Sequence, residues 1–476
     1  MGILRASCIY DVRMQYLPMD SAGPGDSRPV GATTLSVSLS ARPVDARTTD
    51  AGTTGAGRTD VQTTAHRAGR GGPQWLGVGA ALFAVAWGGN QFTPLLTMYE
   101  HHSGFSSQTV TVLLAAYVVG IVPAMLLGGP LSDRYGRRPL MYPAPLIAAA
   151  GSALLAFGAS TEPVLFIGRL LSGVALGIGM AVGSSWLKEL TQLAPSGRDR
   201  GATRASTALS AGFAIGAGVA AALAQWAPWP TVLAYLVHIA VALAAAMMLF
   251  GSYETRRGRA GSGSPGRDLG VGSLLRDLRV PAATERRFLL VVLPMAPWIF
   301  GFAGSSYAIL PTLIGGWSAG QSTAWSGLHC LLALGCGIAV QPIGRRLSST
   351  DARPAIVLGL GLGIAGLVLG STALQLDIAI GSVLAAVVLG AGYGLLLSSG
   401  LQEVQRIAGT NDLAGLTAVY YALAYLGFFI PAVLATLSRY ISYPVMFDAG
   451  AVLALIALLV VLIGGRSVPL PRHADR

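Results

Sequence analysis

Charged residues are scarce in this chain. Of its 476 residues only 11% are charged and 53% are hydrophobic, whereas soluble globular proteins contain about 25% charged residues. The composition therefore excludes an ordinary soluble protein and predicts a polytopic membrane protein. The net charge is +11, but the arginines fall in short clusters between apolar runs. They form no continuous basic face, so we expect a lipid bilayer and no nucleic acid as the partner.

Cysteine and reaction motifs are also lacking. The three cysteines, Cys8, Cys330 and Cys336, form no CxxC pair, which argues against a zinc site or a disulfide framework. The sequence has no Gly-rich phosphate loop, nucleophile motif or metal-spaced cluster, so neither ATP-driven transport nor hydrolysis is indicated. We expect no cofactor, no metal ion and no enzymatic activity.

Residues 1–72 contain no long apolar run. They are polar and rich in Gly, Thr, Ser, Asp and Arg, and they lack the apolar core of a signal peptide. This segment is predicted to be a disordered cytoplasmic tail. Met14 and Met19 are alternative start positions, so either the tail has a function or part of it is not translated.

Apolar runs of about 20 residues follow one another from Pro73 onward. Each is long enough to cross a hydrocarbon core of about 30 Å as a helix. We count twelve and number them spans 1 to 12, so the predicted fold is all-α. Their predicted bounds are 75–98, 108–128, 140–159, 164–188, 204–226, 231–250, 287–312, 323–343, 354–374, 378–401, 413–437 and 443–465.

Arginines mark alternate loops between these spans, and only Arg439 breaks the alternation. By the positive-inside rule the arginine-rich loops and both termini are cytoplasmic. The Gly/Ser-rich segment 251–286 is predicted to be a linker between two six-helix bundles. The bundles comprise residues 73–250 and 287–465, and residues 466–476 form a short cytoplasmic tail.

Two internal echoes support this division. Ser184–Leu190 is echoed by Ser398–Val404, and Gly89–Phe92 is echoed by Gly304–Tyr307. The spacing along the chain is nearly the same for the two matches, which indicates that the second half repeats the first.

The segment between spans 2 and 3 carries the most specific motif. Residues Gly129–Pro139 read GPLSDRYGRRP and match G-x-L-[SA]-D-R-x-G-R-[RK] at nearly every position. This segment resembles the signature loop of the major facilitator superfamily of secondary transporters. The resemblance covers about residues 75–465. It implies two pseudo-symmetric six-helix bundles that work by alternating access around a central cavity.

The resemblance also implies a gate in this signature segment. Asp133 and Arg137 are expected to form a charge network that holds the cytoplasmic face closed, with Asp133 meeting the start of span 11 near Asn411 and Asp412. Alternatively, these charges only fix the topology. The other motif residues assigned to the gate are Gly129, Arg134, Gly136 and Arg138.

Arg169 is the outstanding charge inside a span. With Gly173 it forms an R-x-x-x-G motif in span 4, which the resemblance associates with proton-coupled carriers, and a charge at this depth is costly. Glu100 near the outer end of span 1 and Asp448 just inside span 12 are its candidate protonatable partners. The alternative is that Arg169 extends outward to the membrane interface.

Polar and aromatic residues near the centres of the spans are the candidate lining of a substrate cavity. They are Asn90, Gln91, Phe92, Trp298, Ser305, Ser306, Tyr307, Tyr393, Tyr421 and Tyr425. Pro94 is predicted to kink span 1, and the glycine clusters of spans 4 and 10 to allow close helix packing. His238 and His329 are interpreted as hydrogen-bonded packing residues.

The preferred function is export of a small, moderately apolar organic solute by proton antiport, carried out by a monomer in the cell membrane. The cavity residues are aromatic and amide, which suits neutral or weakly polar solutes better than anions. One alternative is proton-linked uptake of a sugar or similar metabolite. The other is a transporter-like sensor that moves no solute.

Overall fold

The computed structural model describes residues 74–193, 201–255, 280–315, 320–408 and 413–466, and these ranges form helices and no strands. Almost all of the predicted N-terminal and C-terminal tails, and most of the linker 251–286, lie outside the described residues. The division of the chain into segments at these positions therefore stays a prediction.

Ten helices of the described ranges are long and apolar enough to cross a membrane. They correspond to spans 2–5 and 7–12, and most begin and end within a few residues of the predicted bounds. They are Ser107–Tyr135, Arg137–Phe157, Glu162–Gln192, Thr203–Trp226, Phe288–Leu313, Ser322–Leu347, Arg353–Leu376, Ala379–Ile407, Gly415–Leu437 and Tyr443–Gly464.

Spans 1 and 6 are the remaining two of the twelve. Span 6 is the shorter apolar helix Leu233–Leu249. Span 1 is broken into the helices Trp75–Asn90 and Leu96–Ser103, which a 3₁₀ turn over Thr93–Leu95 connects. Pro94 lies in that turn, in agreement with the predicted kink, because proline has no N–H to continue the helical hydrogen bonding.

Local sequence explains several helix ends. Span 1 ends at Gly104, whose φ of 69° favours glycine. Span 2 begins after Ser106, whose hydroxyl accepts the Thr109 N–H at 3.1 Å as an N-cap. Span 2 then continues through the signature segment to Tyr135. This segment is thus helical and breaks only at Gly136, where φ is 98°.

Helices of the two halves of the chain meet along two main lines. Span 5 packs against span 8, and span 2 packs against span 11. Within the first half, span 2 packs most closely against span 4, and in the second half span 10 packs against spans 8 and 9. The loops with Arg134–Arg138 and Arg345–Arg353 share one end of the bundle, which we name the arginine-rich face. The opposite end is the arginine-poor face.

Candidate functional site

Spans 1 and 7 are interrupted at corresponding positions. The first helix of span 1 ends at Asn90, and the α-helix of span 7 ends at Gly304, where a π-helical turn over Ser305–Ile309 follows. Both ends fall within the sequence echo of Gly89–Phe92 by Gly304–Tyr307. Interrupted helices in equivalent positions of two repeats indicate a binding site in carriers, and π-helical turns are frequent at functional sites.

Asn90 connects the break in span 1 to both halves of the chain. Its side-chain amide donates to the Phe213 carbonyl of span 5 at 3.0 Å and approaches the Cys330 sulfur of span 8 at 4.0 Å. Its own side-chain carbonyl accepts the Thr93 hydroxyl at 2.9 Å. The predicted cavity residue Asn90 therefore lies where spans 1, 5 and 8 meet.

Gln91 takes part in a buried hydrogen-bond chain. Its amide donates to the Ser152 hydroxyl of span 3 at 2.8 Å, and that hydroxyl lies 2.7 Å from Nδ1 of His238 in span 6. Nε2 of His238 lies 2.9 Å from the Ala84 carbonyl. Since a carbonyl only accepts, Nε2 carries the proton and Nδ1 accepts from Ser152. The packing interpretation of His238 agrees with these contacts.

Arg169 is completely buried, so the alternative that it extends to the interface is wrong. Its Nε, Nη1 and Nη2 atoms donate to the carbonyls of Leu113, Gly89 and Leu114 at 3.1, 3.2 and 3.3 Å. The guanidinium also lies over the rings of Phe92 and Tyr117, 4.7 and 4.4 Å from their centroids. Main-chain carbonyls and aromatic faces thus hold a cation inside the bundle.

Gly173 explains why the arginine motif ends in glycine. A Cβ at this position would lie 1.9 Å from the Tyr117 carbonyl of span 2, and a Cβ at Gly120 would lie 2.2 Å from the Leu170 carbonyl of span 4. Any side chain here would push the two spans apart. This close approach places Arg169, one turn before Gly173, against the Tyr117 ring.

The two candidate partners of Arg169 lie elsewhere. Among the ion pairs of the described residues, none joins Arg169 to Glu100 or Asp448. Glu100 is half-buried, and its Oε1 atom is buried without a hydrogen bond. Asp448 is exposed on span 12. The structure therefore does not bring the three predicted coupling residues together.

Aromatic rings of both halves meet in the interior. Tyr117 of span 2 contacts Tyr425 and Phe428 of span 11, with centroids 6.1 and 5.1 Å apart. Phe300 of span 7 stacks on both at 4.6 Å and contacts Tyr393 of span 10 at 5.7 Å. We name these five residues the aromatic cluster. Tyr393 and Tyr425 are cavity residues predicted from the sequence, whereas Tyr117, Phe300 and Phe428 are not.

The other predicted cavity residues are placed less centrally. Trp298 stacks on Phe302 at 5.3 Å, and Tyr421 is half-buried beside Tyr420. Tyr307 and Ser305 are buried in the π-helical turn, and the buried Ser306 hydroxyl donates to a carbonyl of its own helix at 2.7 Å.

The signature segment forms a charge network within the first half. Arg137 is paired with Asp133 at 3.1 Å and with Glu189 at the end of span 4 at 2.8 Å. Glu254, which follows span 6, accepts the main-chain N–H groups of Arg137 and Arg138 at 3.1 and 2.8 Å. Neither glutamate was predicted from the sequence to belong to this network.

The other signature residues have local roles. Gly136 is the buried turn between spans 2 and 3, and the Gly129 carbonyl accepts the Ser132 hydroxyl at 2.9 Å. Arg138 lies over the Tyr142 ring, 5.0 Å from its centroid, and Arg134 is half-buried. The predicted partners of Asp133 at the start of span 11, Asn411 and Asp412, lie outside the described residues.

The second half has a corresponding network around Glu403, which is completely buried. Glu403 pairs with Arg287 at the start of span 7 and with Arg406 at 2.8 Å. Arg287 also pairs with Asp351 at 3.1 Å, and Arg353 pairs with the same aspartate at 2.6 Å. Partial burial alone would raise the pKa of Asp351, but its bonds to Arg353 and both arginine charges lower it below the ordinary value.

At the arginine-poor face, polar contacts join the two halves. The Gln225 side chain at the end of span 5 accepts the Ala324 N–H at 3.0 Å and donates to the Gly320 carbonyl at 2.9 Å, both at the start of span 8. Arg439 donates to the side-chain carbonyl oxygen of Gln108 at 2.8 Å. The ion pairs described above at the arginine-rich face instead join elements of the same half.

Comparison with known proteins identifies the family. The family model described as Major Facilitator Superfamily matches residues 76–432. The chloramphenicol resistance protein of Pseudomonas aeruginosa is 27% identical over 373 residues, which cover 75% of this chain and 83% of that protein. The bacillibactin exporter of Bacillus subtilis (strain 168) is 31% identical over 91 residues, 18% of this chain and only 23% of the exporter's length.

A solved structure supports the same fold. The xylose transporter XylE from E. coli, in a partially occluded inward open conformation, matches with a TM-score of 0.62 at 15% identity, over 84% of this chain and 98% of that one. The family model covers three quarters of the sequence, and the fold has the helices and the signature segment expected of it. The chain belongs to the major facilitator superfamily.

Proposed function

We propose that this protein is a secondary active transporter that exports a small organic solute from the cell by proton antiport. The observation that carries the proposal is the paired departure of spans 1 and 7 from α-helical geometry around Asn90–Phe92 and Ser305–Tyr307. Irregular turns at equivalent positions of two repeats free main-chain and polar groups from regular helical hydrogen bonding, so these groups can bind a solute when the two halves separate. Export is supported by similarity to a chloramphenicol resistance protein and to a bacillibactin exporter.

The contacts between the halves support alternating access. By the positive-inside rule the arginine-rich face is cytoplasmic, and the contacts of Gln225 and Arg439 then close the extracellular side. We take this arrangement to be the inward-facing state. The outward-facing state requires these contacts and the ring contacts of Tyr117 to break.

The signature network is the proposed cytoplasmic gate. Arg137 is held in place by Glu189 at 2.8 Å and by Asp133 at 3.1 Å. Asp133 has a side chain 48% exposed, and its proposed partner when the cytoplasmic side closes is the start of span 11. A helix N-terminus carries about half a positive charge, which attracts such a carboxylate.

Arg169 is the proposed link between proton movement and the solute cavity. Its guanidinium contacts both span 1 at the break and the Tyr117 ring of the aromatic cluster. A change in charge near Arg169 therefore acts on both the break in span 1 and the aromatic cluster. Glu100, with its buried and unbonded oxygen, and Asp448 stay the candidate proton carriers.

A solute screen in proteoliposomes tests this function. Purified protein is reconstituted with an imposed pH gradient, and internal pH is read while solutes are added. We expect solute-dependent proton movement that is lost in Arg169→Ala and retained in Arg345→Ala, which removes an exposed arginine. The direction of proton movement distinguishes antiport from the alternative of proton-linked uptake.

Two results would contradict the proposal. Solute accumulation without any proton movement would show that transport is not coupled to protons. Binding of solutes without any flux would instead support the alternative of a membrane sensor.

A further inference from the structure

Arg169 is a buried cation whose charge no acid of the described residues balances. It is 0% exposed, and its side chain takes part in none of the ion pairs that these residues form. Among the described residues Glu403 is the only buried acid, and two arginines already pair with it. Carbonyl dipoles and ring faces stabilise the guanidinium, but they do not neutralise it. The interior therefore favours an anion and disfavours a second cation.

The aromatic cluster joins the two halves through ring contacts. Tyr117 belongs to the first half, whereas Phe300, Tyr425 and Phe428 belong to the second. Alternating access must separate Tyr117 from the rings of span 11, and the separated faces lose their stacking and edge contacts. A planar aromatic solute can replace these lost contacts in the separated geometry, whereas a saturated ring has no aromatic face to stack.

Tyr117 brings the two features together. One face of its ring lies 4.4 Å from the Arg169 guanidinium carbon, and the same ring contacts Phe428 at 5.1 Å. A solute ring that replaces Phe428 against Tyr117 therefore lies close to the cation. At a separation of about 10 Å and an effective dielectric constant of about 20, one anionic group on the solute strengthens binding by about tenfold or more.

We infer that the transported solute combines an aromatic ring with an anionic group such as a carboxylate, and that Arg169, Tyr117 and the rings of span 11 select it. The inference rests on the proposed transport function and replaces the neutral solute expected from the sequence. The sequence suggested a neutral solute because it shows the amide and aromatic residues of the spans. Only the structure shows that Arg169 forms no ion pair with an acid of the described residues.

Four matched compounds test this inference on the unmodified protein in nanodiscs. They are 2-naphthoate, 2-naphthamide, 2-naphthylmethylamine and the saturated decahydro-2-naphthoate, and binding is measured by calorimetry at pH 7. We expect 2-naphthoate to bind about tenfold or more tightly than the amide and about two- to tenfold more tightly than the saturated acid, and the amine not to bind. Equal affinity for acid and amide, or tightest binding of the amine, would overturn the charge argument. Equal affinity for the aromatic and saturated acids would overturn the ring argument.

Variants of Arg169 give a second measurement. Arg169→Lys keeps the charge and should retain the preference for acid over amide, whereas Arg169→Gln should reduce it to about twofold or less. Tyr117→Phe keeps the ring and serves as the control for Tyr117→Leu, which should lose the aromatic preference. If Arg169→Gln does not fold, the affinity order of the four compounds on the unmodified protein still decides the matter.

The outcome is separable from that of the proposed function. If the four compounds bind in the expected order of affinity but no solute moves protons, the ligand class is supported and proton coupling is wrong. If other solutes drive protons while all four compounds bind equally weakly, transport stands and this ligand class is wrong.

Discussion

Two equivalent glutamates offer a direct test of the charge networks at the arginine-rich face. Glu189 and Glu403 lie near the ends of spans 4 and 10, at equivalent positions of the repeated segments Ser184–Leu190 and Ser398–Val404. Glu403 has a completely buried side chain with two arginine partners, whereas the side chain of Glu189 is 29% exposed and pairs with Arg137. The same substitution, Glu to Gln, therefore removes one charge from a buried network and one from a partly solvated network.

The expected cost differs between the two sites. Removing one partner of a buried ion pair costs about 3–5 kcal/mol, because a buried charge is left without compensation. Glu403→Gln takes the buried carboxylate away from Arg287, which is 3% exposed. Its remaining pair with Asp351 at 3.1 Å compensates this charge only in part, because Arg353 shares the same aspartate at 2.6 Å. Exposed pairs are worth about 0–1 kcal/mol, and Glu189 lies between these limits. We expect a loss of about 1–2 kcal/mol for Glu189→Gln and about 3–5 kcal/mol for Glu403→Gln.

Thermal unfolding in detergent, followed by intrinsic fluorescence, measures the difference. A loss of 1 kcal/mol lowers the melting temperature by about 2–4 °C in domains of 150–250 residues and by less in a longer chain. Glu403→Gln should therefore lower it by about 3–10 °C, clearly more than Glu189→Gln. Glu285→Gln, at an exposed position beside the same network, is the control and should change little. Equal shifts for Glu189→Gln and Glu403→Gln would refute the reasoning from burial.

Three further predictions concern the contacts that position the spans. A Cβ at Gly427 would lie 2.3 Å from the Pro297 carbonyl, so Gly427→Ala should separate spans 7 and 11 and lower both the melting temperature and solute flux. Gly361→Ala, where a Cβ meets nothing within 4 Å, should leave both unchanged. Gln225→Ala removes two hydrogen bonds worth about 1–3 kcal/mol together, so spin labels on spans 5 and 8 at the arginine-poor face should move apart, and an unchanged distance would exclude this contact as a gate. Partial burial alone would raise the pKa of Asp351, but hydrogen bonds from Arg353 and the charges of two arginines lower it. The ionised Asp351 therefore stabilises the fold above about pH 4, and this stabilisation is lost as the pH falls through the lowered pKa. Asp351→Asn should consequently lower the melting temperature more at pH 7 than at pH 3, and a constant difference would contradict the shift.

The spans were predictable because a membrane imposes a simple rule on the sequence. A helix that crosses the hydrocarbon core needs about 20 apolar residues, and the twelve runs satisfied this rule. The break in span 1 was also visible, because Pro94 has no N–H for the helix. The π-helical turn over Ser305–Ile309 was not, because Gly304–Ile309 contains no proline that would mark a break.

The aromatic cluster was only partly predictable. The position of an aromatic residue in an apolar span does not reveal whether its ring faces the interior of the bundle or the surface. Phe428 is 2% exposed and contacts Tyr117, whereas Phe157 is 78% exposed. Both lie in apolar runs of similar composition. The partner of a residue far away in sequence is equally hidden, as with Glu254 and Arg137, which are 117 residues apart.

The signature segment illustrates what a motif does and does not reveal. The motif indicated Asp133 and Arg137 as a charged pair, and they lie 3.1 Å apart. It did not indicate Glu189, although the repeat of Ser184–Leu190 by Ser398–Val404 had already placed the same acid in both halves. Recurrence of an acid at the end of two equivalent spans was the available signal.

The two halves keep this acid but supply its arginine from different elements. Aligning Arg138-Pro139 with Arg353-Pro354, at nearly the same spacing as the two echoes, places Ala352 at the position of Arg137. Arg287 at the start of span 7 pairs with Glu403 instead. In the first half the network therefore ties span 4 to the segment between spans 2 and 3, whereas in the second half it ties span 10 to the span that follows the linker. The carboxylate is thus the common element of the repeat, and a change at the linker end of span 7 acts on the second network without touching the first.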